Sequence, residues 1–344
     1  MQEAVTDLAM ADVPVTAEAL LGALPGPAMI VDGTAIRVAN GDAIALLGEG
    51  IAGRDVRLAI RHPEALDHIL GGKDADLELT GIGRIDQPWA LAVRQLGDRI
   101  VLVRLSDRSE IVSAEKMRVD FVANASHELR TPLATVTGYA ETLAEEGEVP
   151  TELRRKFAGT MLDESKRMLA LIEDLMSLSR IQADRFSTPT EVVAIDQVVR
   201  TALANVAALR DSAKCKIHQR IEPGVPPVRG DYPQLVQLVD NLLSNAIRYG
   251  CGPEGSMVDL TVSAARLAVK IVVHDNGPGI PKEHLPRITE RFYRVDAGRS
   301  RHTGGTGLGL AIVKHIVERH RGTLDIKSEA GMGTTVTVTL PVAS

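Results

Sequence analysis

Two long stretches of the chain repeat apolar positions at helical spacing. Val119, Val122, Ser126, Leu129, Leu133, Val136, Ala140 and Leu143 follow a 3,4,3,4,3,4,3 spacing. This is a heptad seam, broken only by the hydroxyl of Ser126. After the acidic loop Glu145–Pro150, a second run follows through Phe157, Met161, Glu164, Met168, Leu171, Leu175 and Leu178, with a polar lapse at Glu164. Two amphipathic helices joined by a short loop predict an antiparallel hairpin. So narrow a hairpin cannot bury both seams alone, and pairing with a second copy into a homodimeric four-helix bundle is expected.

The pattern differs on either side. Residues 1–18 form a polar lead, and 19–107 mix short strands with short helices. Ala28–Val31 runs into Asp32-Gly33 as a strand entering a turn, and Asn40–Leu47 is helical. Trp89–Val93 and Ile100–Val103 flank the turn signal Gly97-Asp98 and predict an antiparallel pair. Beyond the hairpin (108–185), residues 190–344 alternate helices (196–211, 231–249) with strands (258–263, 267–274). The β-branched run Thr334–Leu340 predicts a final strand. The fold class is multidomain α+β.

Composition narrows the functions available. Across 344 residues the net charge is −6 and aromatics make up 3%. With no dense Lys/Arg stripe and few stacking rings, nucleic acid is not an expected partner. Cys215 and Cys251 lie far apart in sequence and outside any paired metal-ligand spacing, so unpaired thiols in a reducing cytoplasm are expected. The longest apolar stretch, Leu20–Val31, is broken by Pro25 and Pro27. It falls well short of the ~20 residues a transmembrane helix needs. No signal-peptide pattern precedes it, and a soluble chain without a transmembrane segment is expected.

Within Phe121–Leu133, His127 follows the seam residue Ser126 and so points outward beside the seam. A lone helical histidine is most often a surface or capping residue. An exposed imidazole with a near-neutral pKa is also a nucleophile at cellular pH. Thr131, four residues on, shares its face. Pro132 removes a backbone donor and predicts a kink rather than a helix end, since the seam continues past it.

The C-terminal region holds four signals. Asn241, Asn245, Arg248 and Tyr249 recur at helical spacing within Asp240–Tyr249, which places amides, a cation and a ring for metal, phosphate and base contacts. His274-Asp-Asn-Gly-Pro-Gly-Ile280 runs from a strand into a glycine turn, where the Asp275 carboxylate can accept a hydrogen bond from an exocyclic amine. Gly304–Leu310 precedes an apolar helix, Ala311–Val317, an arrangement that brings backbone amides to phosphate. It is not a Walker A sequence. Gly331–Thr334 is a turn before the last strand. Each signal alone has a bland reading, either a polar helix face or a tight turn.

In this order the motifs resemble the sensor histidine kinases of two-component signalling. Ser126–Pro132 looks like the family's H box. Asn241–Tyr249, Asp275–Gly279, Arg291–Asp296 and Gly305–Gly309 look like its N, G1, F and G2 boxes. The wording of Phe121–Leu133 and Arg291–Asp296 is nearest to the phosphate-regulon sensor kinases. The resemblance implies a dimerisation and phosphoacceptor domain followed by a Bergerat-type (GHKL) ATP-binding α/β sandwich.

It also implies the cofactors ATP and Mg²⁺, with His127 phosphorylated, and a response-regulator receiver domain as partner. Asn245 would ligate Mg²⁺ with Asn241 nearby, Arg248 would meet the phosphates, Tyr249 would pack on adenine, and Asp275 would bind its amino group. Gly277 and Gly279 would shape the pocket, with Gly305, Thr306, Gly307, Leu308 and Gly309 at the lid. Residues 282–304 would be that mobile lid, and Arg294 would reach the γ-phosphate. Glu128 would orient the imidazole and take its proton, a role resting on the family because adjacent helix residues do not normally face each other. Thr131 would position water for phosphatase action.

Two rivals stand beside this reading. Hydrolases of the same nucleotide fold place a glutamate where this chain has Asn241, and an amide cannot act as a general base. A non-catalytic module with a decayed kinase core is at odds with the complete motif set. Residues 19–107 resemble a PAS sensory domain. They contain no cysteine for flavin photochemistry, and His62 and His68 read as surface residues rather than ligands. The phosphate-type relatives carry transmembrane helices ahead of this region, so a cytosolic variant or a truncated chain is expected.

Overall fold

The computed structural model describes residues 16–83, 86–145, 149–184, 187–207, 215–251, 257–295 and 305–343. Most of the expected N-terminal lead, the middle of the acidic loop and the 296–304 part of the expected lid lie outside them. The chain divides into two compact units, Met1–Asp120 and Phe121–Ser344.

In the first unit, α1 (Ala17–Gly22), β1 (Ala28–Asp32) and β2 (Ala35–Ala39) lead into α2 (Gly41–Leu47), α3 (Val56–Ala59) and α4 (Pro63–Gly71). Then come β3 (Ala75–Thr80), β4 (Pro88–Gln95) and β5 (Ile100–Asp107). The strands form one antiparallel sheet in the order β2-β1-β5-β4-β3. The expected β4–β5 pair forms across Gly97-Asp98, with Gln95 opposite Val101. Strand β3 was not expected. It is an edge strand with one buried residue, Leu79, and its acidic alternation carries a single β-branched residue, Thr80. Asn40 caps α2 from a buried position. Its Oδ1 accepts from the Ala28 and Ala43 amides, and its Nδ2 donates to the Leu21 and Gly26 carbonyls. All of its hydrogen-bonding capacity is used, which is what lets a polar side chain sit in this core.

Helix α5 (Ser109–Ala144) begins in the first unit and runs on through the second. It passes Pro132 without ending, as the continuing seam predicts. Helix α6 (Thr151–Ala183) returns antiparallel, and Tyr139 stacks on Phe157 at 4.7 Å near the turn. The expected α6 seam is the inward face: Phe157, Met161, Met168 and Leu175 are half-buried, and Leu171 and Leu178 are buried. On α5 the inward stripe is shifted. Phe121, Ala125, Pro132 and Tyr139 turn in, Leu129, Val136 and Leu143 are half-buried, and Val119, Val122 and Leu133 stay exposed.

The rest of the unit comprises β6 (Val192–Val193), α7 (Ile195–Ala207), β7 (Lys216–Ile221), β8 (Val228–Arg229) and α8 (Tyr232–Gly250). These are followed by β9 (Met257–Ala265), β10 (Ala268–Asp275), α9 (Gly309–Arg319), β11 (Thr323–Glu329) and β12 (Gly333–Pro341). The five-stranded sheet runs β11-β12-β10-β9-β7, antiparallel except that β7 lies parallel to β9. One sheet face buries Val258, Leu260, Val262, Val269, Ile271, Val273, Val338 and Leu340 in a cluster that also takes in Val198, Leu238, Leu242, Ile312 and Ile316 of the helices. The expectation of unpaired cysteines is corrected here. Cys215 and Cys251 form a disulfide with their Cα atoms 5.8 Å apart. The sequence separation of 36 hides that one residue precedes β7 and the other caps α8.

Candidate functional site

Helix α8 carries the first half of the site. Its Asp231 cap accepts from the Gln234 amide, and the buried stripe Leu235, Leu238, Val239, Leu242, Leu243, Ala246 and Ile247 fixes its rotation. That rotation leaves Asn241, Asn245, Arg248 and Tyr249 on the open face. Asn241 and Asn245 stand together against Gly309, where a Cβ would lie 3.3 Å from Asn241 Oδ1 and 3.6 Å from Asn245 Nδ2. Asn241 Nδ2 is buried and finds no hydrogen-bond partner among the described residues. A buried orphan amide costs free energy unless a ligand completes it.

Asp275 ends β10 and accepts from the Gly277 amide at 3.0 Å. Burial raises its carboxyl above the usual carboxylate range, and the Gly277 and Thr334 amides oppose that rise. Its side chain lies so close to Gly250 and Gly277 that a Cβ at either would collide with it. Gly279, at φ +68°, presses against the Glu329 carbonyl, so only glycine serves there. Gly307, at φ +73°, abuts the Phe292 backbone. Gly305 lies against the Tyr249 hydroxyl, with the Arg248 guanidinium 3.6 Å from where its Cβ would be. Leu308 buries its side chain in the core, and its backbone N–H donates to Thr306 Oγ1 at 3.3 Å.

The second half is a cleft of about 390 Å³ lined by His127, Glu128, Thr131, Arg167, Phe292, Tyr293 and Arg294. His127 is exposed, and the Thr131 hydroxyl donates to its carbonyl at 3.4 Å. Glu128, adjacent in sequence, nonetheless reaches the same cleft. Its Oε2 meets Arg294 Nη2 at 3.2 Å and Arg167 Nη2 at 3.5 Å. Arg294 also donates to the Gly305 carbonyl. Phe121 packs on Phe292 with ring centroids 5.9 Å apart, and the Arg291 guanidinium lies 5.3 Å from the Phe121 ring. Helix α6 reaches the glycine segment through Asp174, which accepts from Thr306 Oγ1 at 2.7 Å. Burial raises the Asp174 carboxyl, opposed by the Thr306 hydroxyl and the Arg248 charge.

The motif residues therefore form two adjoining groups, one around α8, Asp275 and Gly305–Gly309, the other around His127. Sequence reasoning missed Arg167, Asp174 and Phe121. Arg167 and Asp174 sit directly beside the seam residues Met168 and Leu175, seven positions apart on one face of α6. That repeat of polar residues flanking a seam was the signal available.

An α/β domain with a glycine-walled amide site, packed on a hairpin that presents an exposed histidine, has the build of a nucleotide-dependent phosphotransfer protein. Residues 230–344 match the family described as histidine kinase-, DNA gyrase B- and HSP90-like ATPase, and residues 117–184 match the His Kinase A (phospho-acceptor) domain. Sensor-like histidine kinase SenX3 of Mycolicibacterium smegmatis is 38% identical over 278 residues, 78% of this chain and 71% of that protein. Phosphate regulon sensor protein PhoR of Pseudomonas aeruginosa is 38% identical over 241 residues, 70% of this chain and 54% of that protein. The histidine kinase ThkA, solved in complex with response regulator protein TrrA, shares the fold at a TM-score of 0.51 and 17% identity, covering 95% of this chain and 99% of that one. The chain belongs to the sensor histidine kinases of two-component systems, and its activity is that of an ATP-using protein histidine kinase.

Proposed function

We propose that this kinase transfers the γ-phosphoryl group of ATP to His127 and then to an aspartate on a response-regulator receiver domain. The observation that carries the reading is the cleft itself, in which His127, Glu128 and Thr131 meet Tyr293 and Arg294 from the ATP-binding domain. An imidazole nitrogen attacks the γ-phosphorus in line, the N–P bond forms as the bond to the β-phosphate oxygen breaks, and ADP leaves. Glu128 takes the imidazole proton. Asp275 receives the adenine amino group, Tyr249 covers the ring, and Arg248 and the Gly305–Gly309 amides meet the phosphates.

The amides at Asn241 and Asn245 suit Mg²⁺, a hard cation that prefers oxygen ligands, and the orphan Asn241 nitrogen suits a phosphate oxygen beside it. Asn245 would hold the ion through its amide oxygen. When bound, Mg²⁺ neutralises phosphate charge. No carboxylate stands at position 241 to activate water, which favours transfer to protein over hydrolysis. In a separate phosphatase reaction Thr131, one turn from His127, positions water against a phosphoaspartate, releasing inorganic phosphate and the free carboxylate.

The reading extends to the rest of the chain, divided as 19–107 sensory, 108–185 phosphoacceptor and 190–344 ATP-binding. Exposed Val119, Val122 and Leu133 on α5, with Leu162, Leu169, Ile172 and Met176 on α6, support a homodimer formed through the hairpin. The strand order β2-β1-β5-β4-β3, with three short helices between β2 and β3, supports a PAS-type sensory module. The likeness to PhoR favours phosphate limitation as the signal. The test is incubation with γ-labelled ATP and Mg²⁺. Wild type should take up acid-labile, alkali-stable label and His127→Gln none, whereas label persisting in the variant contradicts the assignment.

A further inference from the structure

We propose that Arg167 is a positioning residue for phosphoryl transfer, holding Glu128 in the cleft that His127 lines. The inference rests on the reading of His127 as phosphoacceptor. Consecutive helix residues point about 100° apart, so Glu128 has no intrinsic reason to share a cleft with His127. Two cations meet it there, Arg294 at 3.2 Å and Arg167 of the facing helix at 3.5 Å.

Arg167 comes from α6, has a side chain only 16% exposed, and spans two carboxylates at once. Its Nη2 lies 3.5 Å from Glu128 Oε2, and its Nη1 lies 3.7 Å from Glu164 Oε2. Glu164, the polar lapse in the α6 seam, adds a carboxylate within ion-pair range of the guanidinium without a hydrogen bond to it. The planar fork of arginine suits this bridge, and a lysine ammonium, a single point charge, does not.

The second arginine on Glu128, Arg294, belongs to the ATP-binding domain and also holds the Gly305 carbonyl. When Arg294 turns to the nucleotide's phosphates, its hold on Glu128 is given up. Arg167 belongs to the same hairpin as His127 and stays. It keeps the carboxylate beside the imidazole while the proton is transferred.

The test uses the full chain, following autophosphorylation over a range of ATP concentrations. Arg167→Ala should lower kcat roughly tenfold or more, as expected for a misplaced general base, and leave the KM for ATP within about twofold. Arg167→Lys should not restore the rate. Because Arg167 acts through Glu128, the double variant Arg167→Ala/Glu128→Gln should be no slower than Glu128→Gln alone. Multiplying losses in the double variant, or a raised KM with kcat intact, overturns the proposal. So does full activity in Arg167→Lys. If Arg167→Ala does not fold, Arg167→Lys and Glu164→Gln carry the test, each expected to lower kcat without changing KM. His127→Gln run in parallel separates the two claims. Label remaining on it defeats the phosphoacceptor reading, whereas label lost there with wild-type kcat in Arg167→Ala defeats the positioning role alone.

Discussion

Asp275, proposed to receive the adenine amino group, works against the stability of its own domain. Its carboxyl titrates above the usual carboxylate range because it is buried at a strand end. A raised acidic pKa means that folding favours the protonated form. Its contribution to stability is fully present below the unfolded carboxylate pKa and is lost as pH rises through the folded value. At neutral pH the charge is therefore a cost, and Asp275→Asn should raise the denaturation midpoint there while weakening ATP binding tenfold or more. Denaturant titration and binding of a fluorescent nucleotide measure the two effects. Asp275 stood out in the sequence only as one of an ordered set of motifs, since a carboxylate before a glycine turn fits a plain tight turn equally well. Arg167 and Asp174 did not, since each is an ordinary polar residue on a helix. Their partners lie 39 and 132 residues away in the chain.

Helix α8 depends on contacts that close its N-terminus from the far end of α9. Asp231 caps α8 and receives Arg319 at 3.1 Å, while its own N–H donates to His320 Nε2 at 3.0 Å. Asp231→Ala should cost about 1–2 kcal/mol, read as a lower unfolding midpoint. His320 is buried and neutral in this arrangement, with burial, the largest cause, holding its pKa below the usual histidine value. The sign follows from that direction. The stability is fully present above the unfolded value of about 6.5 and is lost as pH falls through the depressed folded pKa. Acidification below about pH 6.5 should therefore loosen the ATP-binding domain in thermal melts, and a non-titrating His320→Gln should flatten that response.

The elements themselves were largely visible in hydrophobic periodicity, which located α5, α6, α8, β9, β10 and β12. Strands β7 and β11 were not found, because β7 exposes His218, Gln219 and Arg220 in succession, which breaks the alternation, and β11 places only Leu324 and Ile326 as apolar residues among polar ones. The parallel pairing of β7 with β9 is a tertiary fact that no local pattern encodes. On α5 the seam is only partly covered within the chain, with Leu129, Val136 and Leu143 half-buried and Val119, Val122 and Leu133 left on the stripe that the proposed homodimer would cover.

For the whole molecule, the disulfide changes how the ATP-binding domain is held. Cys215 precedes β7 and Cys251 follows Gly250, so the bond ties an edge strand to the end of the helix carrying Asn241, Asn245, Arg248 and Tyr249. Closing a loop of this length stabilises a fold by about 2–4 kcal/mol. Cys215→Ser should lower stability by that amount in denaturant titrations without reductant, and the gap should close when reductant is added to both proteins. Among the described residues no helix is long and apolar enough to cross a membrane. The central claim is the destination of the phosphate. Peptide mass spectrometry under neutral to basic conditions, after incubation with ATP and Mg²⁺, measures it directly. Phosphate on His127 is the predicted result, and phosphate on any other residue contradicts the account.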